Sequence, residues 1–436
     1  MTGRAGFATE DITPEPGISL FGYHRPFPSS AVLDRLEVVA TVLEAAGDLV
    51  VVITVDNVGM LVKDVDMVRR VVAAEMDVPC SSVMVLFTHT HSAPDASGST
   101  PELMAHGQRV REAMVATARA AGQRLRPAAI AWGETRAPFA VNRRATGPGG
   151  KAVLGVNTSG PVDTRIGLLR IDDERAYHMT GLLVICGSHG NVLKGDSSWI
   201  SGDYQGWLRK VLREGLGCTV AVGTGCAGDS DPRWRGSTGD LERVAACISG
   251  PVVDKTAALS PEPLRRLWAA SKVMRMRLVD LPGLQEARAL AGTVAGEWEV
   301  DTARWLSAVT RQYEQGGSKI SLDMEVQLVR VNNGFLAGVP MEPFSEIGID
   351  VVAETGNRHG FLCGYTNGLI GYLPTEGEFQ RGGYEIEWAP VVYGLEAGLL
   401  MPPRPETASE VVRAVADLYR ESQAAVTLGG VHGASQ

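Results

Sequence analysis

Leu49-Val-Val-Val-Ile-Thr-Val-Asp56, followed by Val62 to Met76 and then Val83-Met-Val-Leu-Phe87, is the stretch that decides the fold. The first segment is β-branched and almost continuously apolar, the pattern of a strand buried on both faces. Val62 to Met76 carries apolar residues at helical spacing, and Val83 to Phe87 is a second short apolar run. Strand, helix and strand in this order predict a βαβ unit with parallel pairing.

Further along, Gly181 to Cys186 and Thr219 to Gly223 read as more buried strands. Val326 to Val331 and Phe335 to Val339 flank Asn332-Asn333-Gly334, a hairpin turn because Asn and Gly tolerate positive φ. Leu284 to Tyr313 has a helical pattern ended by Gly316-Gly317. Thr407-x-x-Glu410 reads as a capping box that opens a final helix through Tyr419. No internal repeat or low-complexity linker interrupts the chain. The expectation is an α/β protein: mixed β-sheets flanked by helices, in one large domain over residues 1–425, with a frayed tail over 426–436.

Composition narrows the function. Hydrophobic residues make up 44% of the 436 and charged residues 21%, as in soluble globular proteins. A formal net charge of -9, without any run of five basic residues, excludes nucleic acid as the main partner. The six cysteines show no C-x-x-C spacing, which argues against a cysteine zinc site and for small core residues. No apolar run is long enough for a transmembrane segment, and the N-terminus has no signal-peptide core, so the cytoplasm is the expected location.

The chemistry lies just after the buried strands. Thr88-His89-Thr90-His91-Ser92 follows VMVLF, Gly187-Ser188-His189-Gly190 follows GLLVIC, Asp229-Ser-Asp231-Pro232 lies shortly after TVAVG, and Pro340-Met341-Glu342 follows FLAGV. In α/β folds, ligands bind beyond the carboxyl ends of strands, so these segments are expected to form one site. An extended backbone across His89 and His91 would point both rings to one face. Imidazole is a good zinc ligand and also a proton carrier. His189 can add a nitrogen and Glu342 an oxygen, but residue types leave the ligand set open. Taken singly, each has a plainer reading. His189 fits a core or capping histidine, Tyr372 a half-buried aromatic and Arg143 a surface arginine. Ser201 fits a cap for the helix that follows it.

The set of motifs resembles the neutral (non-lysosomal) ceramidase family, which cleaves the amide of N-acylsphingosine. The resemblance is carried by Ala5-Gly-Phe-Ala-Thr-Glu-Asp11-Ile-Thr-Pro14, Thr88-His89-Thr90-His91-Ser92, Val141-Asn142-Arg143 and Ile200-Ser201-Gly202-Asp203. It continues through Asp229-Ser-Asp-Pro232, Pro340-Met341-Glu342, Gly371-Tyr372-Leu-Pro-Thr and Gly383-Tyr384-Glu385, in family order. It implies zinc held by His89, His189, Glu342 and Tyr372. It places His91, Arg143, Tyr384 and Ser201 at catalytic or substrate-positioning positions. The family's His-Pro-Thr is here His189-Gly190-Asn191, Met341 replaces a glycine, and the length leaves no room for the family's C-terminal accessory domain.

The implied function is a zinc-dependent amidohydrolase whose zinc-activated water cleaves an N-acyl bond. His91 would supply the leaving amine's proton, and Tyr384 with Arg143 would stabilise the oxyanion. The substrate is expected to be a soluble amide-bearing metabolite or an N-acylsphingosine-like lipid. Two alternatives are a serine amidohydrolase using Ser201, and a non-catalytic metal-containing binding protein.

Overall fold

The computed structural model describes residues 3–431 except Tyr177 and Gly316, with the backbone alone for 426–431. The strands of the main sheet are β1 (Arg4–Asp11), β2 (Glu37–Ala45), β3 (Asp48–Val55), β4 (Val83–Phe87), β5 (Arg126–Arg136), β6 (Arg165–Asp173), β7 (His178–Cys186) and β8 (Thr219–Thr224). Their spatial order is β8-β7-β6-β5-β1-β2-β3-β4, with the short strand Glu262–Pro263 beside β5. A second sheet holds β9 (Leu267–Arg277), β10 (Ser321–Val331), β11 (Gly334–Gly338) and β12 (Gly360–Cys363) in that order.

The decisive stretch folds as its pattern requires. Val50 to Val55 is buried at every position, and β3 pairs in parallel with β4. Helix α1 (Val62–Met76) crosses between them, burying the stripe Val65, Val68 and Val72. The same parallel arrangement joins β7 and β8, with α3 (Asp203–Leu216) in between. The remaining pairs of the main sheet are antiparallel, so the sheet is mixed.

Alternation along the strands defines the layers. In β2, Val38, Ala40 and Val42 pack with α1 and α2 (Pro101–Gly122), while Val39 and Leu43 face the second sheet. Likewise β10 turns Val329 and Val331 toward the main sheet, and Val326 and Leu328 toward α7 (Ser345–Thr355) and α8 (Thr407–Val431). Helices α3 and α4 (Thr238–Ala257) cover the other half of the main sheet's outer face. The result is two stacked sheets with helices on both outer faces.

The main sheet curls until its edge strands meet. A Cβ at Gly223 on β8 would stand only 3.0 Å from Leu86 on β4. Beyond that meeting point the Thr224 hydroxyl donates to the Thr88 carbonyl at 2.9 Å. The segments after β4 and β7 then touch through a parallel bridge between Thr90 and Gly190.

The hairpin at Asn332-Asn333-Gly334 is present, with Asn332 at φ 48°. Three local expectations change. The helix expected over Leu284 to Tyr313 is two helices, α5 (Leu284–Trp298) and α6 (Ala303–Glu314), because Glu299 takes the left-handed conformation at φ 51° and stops α5. Helix α8 has Thr407 as its first helical residue rather than its cap, and Glu410 pairs with Arg277 instead of closing a capping box. Of the expected helix stop, Gly316 lies outside the described residues, as do 432–436 of the expected tail, whereas 426–431 continue α8 instead of fraying. Among the described residues, no helix is long and apolar enough to cross a membrane.

Candidate active site

The structure collects the loops beyond β4, β7, β8 and β11 at one place. His89 follows β4 in the left-handed region at φ 60°, so its ring does not meet that of His91 through strand alternation. The two rings face each other because the loop turns, leaving their Nε2 atoms 3.2 Å apart. Gly190 permits the close approach of the neighbouring loop, since a Cβ there would lie 2.8 Å from the His89 carbonyl oxygen. Gly22, at φ +96°, packs its backbone on the His91 ring, which a Cβ would strike at 2.5 Å.

Backbone carbonyls orient the two innermost rings. His89 Nδ1 faces the Val58 carbonyl, and His189 Nδ1 faces the Ala227 carbonyl at 2.7 Å. Both rings therefore carry their proton on Nδ1 and present a lone pair at Nε2. Those lone pairs face Glu342 Oε2, 3.4 Å from His89 and 3.2 Å from His189. Edges of this length match a tetrahedral zinc site with metal–ligand distances of about 2.1 Å, and the nitrogen and oxygen donors suit it too. Taken with His91, the three imidazoles bring ligand nitrogens within 4.8 Å of one another, a group able to hold a metal ion.

Glu342 and Tyr372 are paired neighbours on two short parallel strands, Glu342–Pro343 and Tyr372–Leu373. Tyr393 donates to Glu342 Oε1 at 2.8 Å, and Tyr365 donates to Oε2 at 3.3 Å. Burial, reinforced by Arg143, pushes His189 down to about 3. Burial and the two neighbouring imidazoles push His91 down as well, so its ring is neutral at pH 7.

Arg143 and Arg144 are both buried, against the expectation of a surface arginine. Successive strand residues normally point apart, but a bulge between Asn142 and Arg144 lets both guanidinium groups reach Glu385. Arg143 also donates to the Tyr372 hydroxyl at 2.9 Å and to His189 Nε2 at 3.1 Å. Burial disfavours its charge, yet Tyr372, Glu385 and Glu342 hold its pKa well above the ordinary value. Asp229 accepts from the Ser345 backbone and hydroxyl at the start of α7, and from Asn142 at 3.0 Å. Its backbone carbonyl accepts from Arg143 N, so it anchors the strand that carries Arg143.

Ser201 lies apart from the imidazoles. Its hydroxyl donates to Asp34 and accepts from the Asp203 backbone at 2.9 Å, at the start of α3. Tyr384 faces the site from a turn after Gly383, with its ring 5.9 Å from Tyr372 and 4.4 Å from Trp298. Burial raises its hydroxyl pKa, so it stays a proton donor.

Two cavities meet at this cluster. One, of about 300 Å³, is apolar and aromatic, with Phe21, Val58, Trp298, Leu369 and Tyr393 around His89 and Glu342. The other, of about 420 Å³, contains Arg143, Lys194, Asp231, Arg233 and Arg235. His91, Tyr372 and Tyr384 line both. The sequence reading missed Tyr365, Tyr393, Glu385 and Trp298. Only Glu385 had a signal, its place beside Tyr384 in a quoted motif.

No family model matches the chain, nor does any curated protein. Similar solved structures include two ceramidases. One is a ceramidase complexed with C2, at 17% identity and a TM-score of 0.71, covering 96% of this chain and 75% of that one. The other is the neutral ceramidase from Pseudomonas aeruginosa, at 18% identity and a TM-score of 0.71, covering 97% of this chain and 75% of that one. Over nearly all of its length, the chain has the fold of the neutral ceramidases.

Proposed function

We propose that the protein is a zinc-dependent amide hydrolase. The observation that carries this reading is the convergence of two carbonyl-oriented imidazoles, His89 and His189, on the Glu342 carboxylate at the junction of two cavities. Lone pairs turned toward one point are costly to bury without a cation between them. The shared fold with the neutral ceramidases supports an amide as the bond attacked. His89, His189 and Glu342 would hold the ion, with Tyr372 as the fourth ligand. When bound, zinc polarises a carbonyl and makes a water acidic enough to react near neutral pH.

The protein's own groups do the rest. His91 Nε2 points into the cluster, and its neutral ring takes a proton from water there and returns it to the leaving nitrogen. The Tyr384 hydroxyl and the Arg143 guanidinium stand where negative charge develops on the carbonyl oxygen, and donate to it. Glu385 and Asp229 keep Arg143 in place. The aromatic cavity, at about 300 Å³, suits a short acyl arm.

Nothing in the surroundings of Ser201 favours it as a nucleophile, since its hydroxyl meets a carboxylate rather than a ring nitrogen. The test is elemental analysis of purified protein together with hydrolysis of an N-butyryl fluorogenic amine, with and without 1,10-phenanthroline. About one zinc per chain and chelator-sensitive release of butyrate are expected. Chelator-resistant hydrolysis by zinc-free protein would return the serine route. Stoichiometric zinc without turnover of any short- or long-chain N-acyl amine would make the protein a binder.

A further inference from the structure

The second cavity is chemically unlike the first. It brings four cationic side chains, Arg143, Lys194, Arg233 and Arg235, against a single carboxylate, Asp231. This concentration occurs in a chain whose net charge is -9. Arg143 is matched by Glu385, and Arg235 by Asp231. The side chains of Lys194 and Arg233 make no ion pair among the described residues. The Nε of Arg235 is buried without a hydrogen-bond partner, and so is the Oδ1 of Asn191 on the same wall. Positive charge on the exposed residues Lys194 and Arg233 therefore remains unpaired, and inside the cavity a buried N–H is left over for an acceptor.

Resting on the amide hydrolase reading, we propose that the amine fragment of the substrate carries an anionic group, a carboxylate or a phosphate, held by Lys194, Arg233 and Arg235. The arms of an amide are sorted by the two cavities. The hydrocarbon of an acyl group belongs in the aromatic cavity, where Phe21, Val58 and Leu369 remove it from water. The nitrogen side then enters the cationic cavity past His91, which lines both and is placed to protonate the nitrogen. Guanidinium forks pair with planar carboxylate or with phosphate through two N–H bonds, and Lys194 adds a point charge. Val141, Leu154 and Val156 form an apolar side to the same cavity, so the anionic group is borne on a fragment with some carbon of its own.

Three matched probes test this: N-hexanoyl-3-aminopropyl phosphate, N-hexanoyl-β-alanine and the neutral N-hexanoyl-3-aminopropanol. At least one anionic probe is expected to exceed the neutral one about tenfold in kcat/KM, the size of a charge-assisted hydrogen bond. Whichever anionic probe leads identifies the phosphate or the carboxylate. In Lys194→Ala/Arg233→Ala the ratio of anionic to neutral kcat/KM should fall toward one, and rising salt should shrink the wild-type ratio. A wild-type ratio near one, or a ratio untouched by the double variant, overturns the proposal. Should none of the probes release hexanoate, the hydrolase reading fails and calorimetry decides the cavity. Binding of the phosphate probe that weakens at least fivefold in the double variant upholds the anion site, and absence of such binding refutes it.

Discussion

At the scale of single residues, the proposed function puts metal binding and proton transfer on different side chains, and substitution can separate them. His189 is fully buried, with its Nδ1 bound to a carbonyl and its Nε2 directed at Glu342. His189→Ala should lose zinc and activity together, because removing one of the ligands leaves a much weaker site. Retention of stoichiometric zinc on elemental analysis would show that the ligand set is wrong. His91→Ala and Tyr384→Phe should keep zinc and lower kcat by about a hundredfold or more, as expected for lost proton transfer or oxyanion donation. Turnover within a few-fold of wild type in both would remove those roles. The sequence motifs held these residues, but not the reason for their meeting. An H-x-H spacing suggests strand alternation, whereas His89 is left-handed at φ 60° and a loop does the work. Tyr365 and Tyr393, which donate to Glu342, were invisible because a tyrosine 23 or 51 residues along the chain from its carboxylate partner carries no local signature of that contact.

At the scale of elements, local pattern located most strands and left their assembly open. The continuous apolar runs of β3, β4, β7 and β8 announced buried strands, and the pattern of α1 announced its helix. That the sheet curls until β4 and β8 meet depends on contacts between distant segments, such as Gly223 on Leu86, and no window of sequence records them. The α5–α6 pair shows the opposite failure. A uniform helical pattern hid the break at Glu299, and with it the placing of Trp298 and Val300 against the aromatic cavity. This pair closes its own small core around Ala287, Ala291, Val294, Trp305 and Val309, so its packing sets the position of Trp298. Trp298 stands 4.4 Å from the Tyr384 ring and forms part of the cavity wall. Trp298→Ala should therefore raise KM for N-hexanoyl substrates by about tenfold, an aromatic contact of this kind being worth roughly 1 kcal/mol beyond its area. N-acetyl substrates, whose acyl arm offers less apolar surface to that wall, should change less. Equal effects on both acyl lengths in steady-state kinetics would place Trp298 outside the acyl site.

At the scale of the whole molecule, buried titratable groups away from the His89–His189–Glu342 cluster should give stability two opposing dependences on pH. Asp34 accepts from Ser201, Gly202 and Trp207 and is pushed up to about 6, chiefly by burial. Its unfolded value is about 3.9. Between those values the unfolded chain gives up the proton while the folded chain keeps it. Asp34 thus costs nothing below about pH 4, and its full penalty, about 3 kcal/mol for such a gap, is present above pH 6. His106 is buried in α2 and pushed down to about 4, mainly by burial, against about 6.5 when unfolded. As pH falls through that window the unfolded chain takes up a proton that the folded chain refuses, so stability is lost toward acid. The two slopes oppose each other between pH 4.5 and 6.5, so the contributions of Asp34 and His106 partly cancel there. Asp34→Asn should gain melting temperature relative to wild type as pH rises across the window, whatever its offset from altered hydrogen bonds. His106→Gln should gain it as pH falls. Differential scanning calorimetry of the three proteins at pH 4.5, 5.5 and 6.5 reads both signs. Parallel profiles for wild type and Asp34→Asn would mean that Asp34 titrates in the folded protein as it does in the unfolded chain.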